Sequence, residues 1–320
     1  MNIKPIIIVN GEPYSIFFEI FFKILKKNKF KKPLVFIGSN KLLKKQSDYF
    51  KYKLSTHEID QDFDLKDLKK NKINIINVDF KFKTPFGEIS DISNVYIKNC
   101  FEVTFRLAKK KKISGIINGP ISKKHFLKKK YLGITEYMAN KTNTKKFGML
   151  IFNKKLSVSP ITTHVPLKNV PKLVTKRKII ENVSLIKEFY KRYYKKNAAI
   201  GITGLNPHCE SNFINSEDDK IIRPAIKSLS KKYSKVLGPF PADSLFMKNN
   251  IKKFDSIIGM YHDQVLTPLK SIHNFDAINI TLGLPFLRIS PDHGPNNTMI
   301  KKNKSNPKSL LMAIKFLDNL

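Results

Sequence analysis

Three histidines, His164, His208 and His262, share one local setting in a chain of 320 residues that holds only seven histidines. Each follows a short apolar run and sits among turn-forming or polar neighbours: Thr162-Thr163-His164-Val165-Pro166, Gly204-Leu205-Asn206-Pro207-His208 and Tyr261-His262-Asp263-Gln264. Imidazole is the commonest ligand of zinc-like divalent metals, and three protein ligands with open positions make a catalytic centre, not a structural one. One strand-end histidine is an ordinary hydrogen-bonded residue; three at equivalent strand ends point to a metal. Asp243 and Asp263 are candidates to orient these rings or to ligate directly.

Lys270, Asn279 and Arg288 follow, each in or just after a strand-like segment: Leu266–Lys270, Ile278–Gly283 and Pro285–Ser290. An amide such as Asn279 inside an apolar strand needs hydrogen-bond partners. Arg288 has apolar neighbours, Phe286, Leu287 and Ile289, which disfavour full exposure. Lysine, asparagine and arginine beside a metal suit a small anionic substrate carrying carboxylate or phosphate.

The elements that must position these groups alternate short β-branched runs with longer amphipathic segments, which predicts an α/β protein with a largely parallel sheet. Strands are expected over Lys4–Val9, Leu34–Gly38, Ile73–Val78, Ile113–Asn118, Ser157–Thr163, Ala198–Thr203, Ser256–Tyr261 and Ala277–Thr281. Helices are expected over Ser15–Lys27, Ser93–Lys109, Thr175–Lys195, Glu217–Lys231 and Pro307–Asn319. Ligands of parallel sheets sit at the carboxyl ends of strands. The endings Asn118-Gly119-Pro120, Thr162–His164, Asn206–His208 and His262–Asp263 are therefore expected to converge on one cleft.

A hydrophobic content of 41% is enough for a substantial core. The formal charge of +35 comes from 60 basic residues, of which only five are arginine, and the lysines are scattered along the chain. Nucleic-acid surfaces favour arginine's bidentate fork, so no nucleic-acid partner is expected. The positive field can still help recruit an anionic substrate or cofactor. The first apolar run, Pro5–Val9, is too short for a signal peptide or membrane span, so no membrane partner and a cytoplasmic location are expected. Cys100 and Cys209 give no disulfide framework.

The ordered run Tyr261-His262-Asp263-Gln264, Lys270, Asn279–Pro285, Arg288, Ser290 and Asp292-His293-Gly294 closely resembles the 4-hydroxythreonine-4-phosphate dehydrogenase family. Thr162–Leu167, Gly204–His208, Gly238–Asp243 and Ile117–Lys123 fall in that family's order and at about its spacing. The resemblance runs from about Ile113 to Gly294. It implies an α/β fold of two α/β/α domains with a cleft between them, similar to isocitrate and isopropylmalate dehydrogenases and not a Rossmann fold. The chain indeed lacks GxGxxG. The expected division is residues 1–128, then 129–285, with 286–320 returning to the first domain.

The resemblance also implies one divalent metal (zinc, cobalt, magnesium, manganese or nickel) at a homodimer interface with shared active sites. His164 and His208 would come from one subunit and His262 from the other. Thr135, Lys270, Asn279 and Arg288 would bind substrate, and Asp292, His293 and Gly294 would meet NAD or NADP. The implied reaction is metal-dependent oxidation and decarboxylation of 4-phosphohydroxy-L-threonine to 3-amino-2-oxopropyl phosphate, in pyridoxal phosphate synthesis. Asp243, Asp263 or Lys270 would move the proton. Two other readings stand beside it: a related dehydrogenase of a phosphorylated four-carbon hydroxy acid, and a basic, non-enzymatic nucleic-acid-binding protein.

Three stretches depart from the family pattern. Gly11–Glu19 replaces a glycine-rich GDPAGIGPE segment, Ile134 stands where the family has a substrate-contacting histidine, and Pro295 follows Asp-His-Gly, where it removes a backbone donor.

Overall fold

Ile6-Ile7-Ile8-Val9 is buried along its whole length, as a central parallel strand covered on both faces must be. The computed structural model describes residues 3–110, 113–128, 130–210, 215–273, 277–291 and 294–320. Its chain forms two units, Met1–Tyr137 with Phe286–Leu320, and Met138–Pro285.

In the first unit, β1 (Ile6–Val9), β2 (Leu34–Gly38), β3 (Thr56–Glu58), β4 (Ile73–Asn77), β5 (Gly115–Asn118) and β12 (Arg288–Pro291) pair in parallel, in the order β3-β4-β2-β1-β5-β12. That order differs from the 3-2-1-4-5-6 of a Rossmann domain. Helix α1 (Phe17–Lys27) covers the sheet with a phenylalanine face. Phe17 stacks on Phe21 and Phe18 on Phe22, each pair one turn apart, and Phe18 and Phe21 meet Phe36 of β2. Helix α2 (Asn40–Tyr49) begins where Ser39 Oγ accepts from Leu42 N at 3.2 Å. Helices α3 (Ser93–Lys109) and α11 (Lys308–Asp318) complete the unit, and α4 (Ile134–Lys141) carries the chain into the second.

The second unit holds β6 (Gly148–Phe152), β7 (Ser157–Pro160), β8 (Ile200–Thr203), β9 (Val236–Phe240), β10 (Ser256–Gly259) and β11 (Ile278–Leu282), ordered β11-β6-β7-β10-β8-β9. The β11–β6 and β6–β7 pairs are antiparallel, while β7, β10, β8 and β9 run parallel. Helix α6 (Lys176–Tyr194) starts at Thr175, whose Oγ1 accepts from Lys178 N. Val158, Ile257, Val265, Leu266 and Leu269 share one core cluster.

One expectation is corrected here. Leu266–Lys270 is not strand-like; it lies inside helix α10 (His262–His273), which contains Pro268. Val265, Leu266 and Leu269 are buried in helical spacing. The segment Thr-Pro-Leu looks extended only when read without the turn before it. Among the described residues, no helix is long and apolar enough to cross a membrane.

Candidate active site

β7, β10 and β8 are hydrogen-bonded neighbours, and His164, His262 and His208 follow their respective carboxyl ends. Adjacent strands lie about 4.8 Å apart, so chain ends of this kind can bring side chains together. For two of the three it does: the rings of His164 and His262 have centroids 5.8 Å apart. His262 Nδ1 is 2.6 Å from Asp263 Oδ1. A carboxylate on Nδ1 fixes the tautomer and leaves Nε2 for a ligand.

Within one chain His164 and His262 stand together, whereas the resemblance implies His164 and His208 from one subunit with His262 from the other. β7 and β10 pair directly, whereas β8 lies one strand further from β7. Among the described residues, no cluster of three or more His, Cys, Asp or Glu side chains gathers to hold a metal. The imidazole pair and its carboxylate nonetheless fit a divalent cation by donor type.

His208 stands exposed in the short turn Pro207–Cys209, with φ 57°. Asp243 opens helix α8 (Ala242–Leu245), where its Oδ1 accepts from Ser244 N at 2.7 Å. Burial raises the thiol pKa of Cys209, with smaller upward contributions from the charges of Asp218 and Asp243. Both cysteines are free and buried.

Sequence reasoning passed over Gln264. Its Oε1 accepts from Met260 N at 2.7 Å and from Thr203 Oγ1 at 2.9 Å, and its Nε2 donates to the Gly204 carbonyl at 2.8 Å. One amide therefore ties the end of β10 to the end of β8, fixing the segments that bear His262 and His208 against each other. The only prior signal was its place beside the His-Asp pair.

Lys270 is exposed in the last turn of α10. At 1.5 Å per residue it sits about 12 Å along the axis from His262. Asn279 lies in β11 as expected, and its Oδ1 is buried with no hydrogen-bond partner among the described residues. That acceptor suits a donor on a bound molecule.

In the first unit, Arg288 opens β12 with its side chain fully buried, and its Nε donates to Asn118 Oδ1 at 2.7 Å. Burial pushes the guanidinium pKa down to about 9, with Glu136 pulling the other way. Asn118, expected at a strand ending that converges on the cleft, is thus the partner of a buried cation. Thr135 is buried in the first turn of α4, and Ile134 beside it is half-buried.

The departing stretches at either end of the chain touch: Ile16 N donates to the Pro295 carbonyl at 3.2 Å. Gly294 is exposed, and a Cβ there would meet nothing within 4 Å. Asp292 and His293, the other expected cofactor residues, lie outside the described residues. Gly11 keeps a glycine where one is needed. Its φ is +74°, and a Cβ would stand 2.6 Å from the Pro120 carbonyl oxygen.

Next to it, Glu12 is 1% exposed, with Ser93 Oγ 3.1 Å from Oε2 and no partner for Oε1 among the described residues. Burial raises its pKa from 4.5 to about 7. A carboxyl whose pKa is raised on folding favours the folded state at low pH, and that contribution is lost as pH rises through about 7. The shift corresponds to about 3 kcal/mol. Denaturant unfolding at pH 5 and pH 8.5 should therefore show Glu12→Gln losing less stability across that interval than wild type, by about that amount. Equal losses would refute it.

The family model of the pyridoxal phosphate biosynthetic protein PdxA matches residues 29–317. A 4-hydroxythreonine-4-phosphate dehydrogenase of Sulfurihydrogenibium sp. is 38% identical over 95% of this chain and 94% of its own length. An Oceanobacillus iheyensis protein named for dehydrogenation of D-threonate 4-phosphate is 33% identical over 98% of this chain and 97% of its own. Among solved structures, that of 4-hydroxythreonine-4-phosphate dehydrogenase from Klebsiella pneumoniae superposes with a TM-score of 0.85, at 27% identity and 98% coverage of both chains.

Proposed function

Because this chain belongs to the family of the pyridoxal phosphate biosynthetic protein PdxA, we propose that it is an NAD(P)-linked 4-hydroxythreonine-4-phosphate dehydrogenase. It oxidises and decarboxylates 4-phosphohydroxy-L-threonine to 3-amino-2-oxopropyl phosphate. The observation that carries this reading is the His164–His262 pair, 5.8 Å between rings, with Asp263 on Nδ1 of His262. His164 and His262 would hold a divalent cation there, which would supply Lewis acidity to the substrate's oxygen.

The chain's own residues do the rest. His164 and His262 present imidazole nitrogens, and His208 completes the set in a homodimer whose copies share their sites. Asp263 acts through His262 and holds its ring. Thr135, Lys270, Asn279 and Arg288 bind the substrate, and Arg288 is the cation suited to its phosphate. Lys270 and Asp243 exchange protons with substrate and product. Asp292, His293 and Gly294 would hold NAD or NADP, which would accept the hydride, and a Cβ at Gly294 would meet nothing within 4 Å.

A second reading has its own support. One relative is named for D-threonate 4-phosphate, and Ile134 offers no side-chain donor or acceptor to a polar substrate group. Side-by-side assays of NAD(P)H formation with the two substrates, with and without chelator, test both. Faster turnover of 4-phosphohydroxy-L-threonine, lost on chelation and restored by zinc, cobalt or manganese, is expected. Faster turnover of D-threonate 4-phosphate selects the second reading, and no turnover of either refutes both. Ile134→His should raise kcat/KM for the amine-bearing substrate about tenfold, the worth of one charge-assisted hydrogen bond. An unchanged kcat/KM would show that Ile134 does not limit it.

A further inference from the structure

We propose that Asp218 is a positioning residue for His208, holding the loop Gly204–Glu210 in the strained backbone that presents the imidazole. The inference rests on the metal-site reading above. His208 and Cys209 are consecutive residues with φ 57° and 58°. Side-chain-bearing residues in this left-handed region cost about 1–2 kcal/mol each. Two in a row persist only where the surroundings over-determine them.

Asp218 supplies that constraint from outside the loop. Its side chain is fully buried, at 0% exposure. Oδ1 accepts from Leu205 N at 2.9 Å, and Oδ2 accepts from Asn206 N at 3.0 Å and from Asn206 Nδ2 at 2.8 Å. Three donors converge on one carboxylate immediately before the strained pair. Gly204 makes the approach possible: a Cβ there would stand 2.5 Å from Asp218 Oδ1 and 2.7 Å from Cys209 Sγ. On the far side, Arg223 Nη2 donates to the Cys209 carbonyl at 2.8 Å. The strained turn is thus gripped before and after His208, by groups that hold its backbone and leave the ring exposed.

A preset ligand spares a metal the ordering of the loop, and removing residues that orient a ligand typically weakens metal binding about 10–100-fold. Asp218→Asn preserves shape but turns one acceptor into a donor facing N–H groups. Cobalt(II) affinity of the full-length protein, measured by competition with a chromophoric chelator, should fall about 10–100-fold. The control is Asp255→Asn. Asp255 Oδ2 likewise accepts a backbone N–H, from Ala199 at 2.9 Å, and pairs with Lys196, but at the opposite end of β8. That variant should lower Tm and leave cobalt affinity unchanged.

Gly204→Ala, which wedges the carboxylate away, should weaken cobalt binding as Asp218→Asn does, and carries the test if the latter fails to fold. Cobalt affinity within twofold of wild type in the folded loop variants overturns the proposal. So does an equal loss in Asp255→Asn, which would mark general destabilisation. A folded wild-type protein that binds no cobalt, zinc or manganese would instead overturn the metal reading itself.

Discussion

His262→Ala is expected to abolish metal retention and to lower NAD(P)H formation on the order of 10³-fold. The substitution removes one member of the 5.8 Å imidazole pair and leaves Asp263 with nothing to orient. Lewis-acid stabilisation of the developing charge is worth several kcal/mol, and about 4 kcal/mol corresponds to that loss at 1.36 kcal/mol per decade. The fold should be spared. The His262 side chain is 35% exposed at the first position of α10, and the buried residues of that helix, Val265, Leu266 and Leu269, are untouched. Substitutions at such sites usually stay within about 0.5 kcal/mol. Metal analysis, turnover and thermal unfolding on one preparation check all three parts. A variant that keeps stoichiometric metal and activity within tenfold of wild type contradicts the assignment.

Arg288→Met should raise KM for the phosphorylated substrate far more than it lowers kcat. A guanidinium stays charged at neutral pH, and for this one the cost of burial outweighs the attraction of Glu136. Removing the cation releases that burial cost but leaves Asn118 Oδ1 and Glu136 without their partner, and breaking a buried pair from one side typically costs about 3–5 kcal/mol. The ligand-free variant is therefore expected to be less stable than wild type. The phosphorylated substrate loses its buried cation, so KM should rise on the order of 10²-fold, about 3 kcal/mol, with kcat changed far less. Inorganic phosphate should raise the Tm of wild type and leave that of the variant unmoved. Unchanged KM together with a loss of several kcal/mol would make Arg288 a purely structural residue.

The parallel strands and the histidines at their ends were legible because strand, turn and polar ending lie within a few consecutive residues. Ser256–Gly259 followed by His262 shows all three, and Ser157–Pro160 before His164 repeats them. Lys270 was misplaced on a strand because Thr-Pro-Leu suits extended backbone locally. Its helical period shows only when Val265 and Leu266 are counted with Leu269. Strands β3, β9 and β12 are short or edge-placed, and β6 is a continuous apolar run with no alternation of its own. Residues that position the site were hidden for another reason. Asp218 and Asn118 act on groups 12 and 170 residues away, and Gln264 on groups about 60 away, so no local pattern announces them. Which imidazole rings lie close within one chain depends on strand order, and β10 enters between β7 and β8 from nearly a hundred residues downstream of β7.

Anomalous diffraction at the cobalt edge from crystals of the cobalt-loaded protein would bear most directly on the metal centre. The expected result is one ion per site within about 2.0–2.2 Å of three imidazole nitrogens, His164 and His262 from the same chain and His208 among the three. An ion bound elsewhere, or one whose nearest side chains exclude His164 and His262, would contradict it.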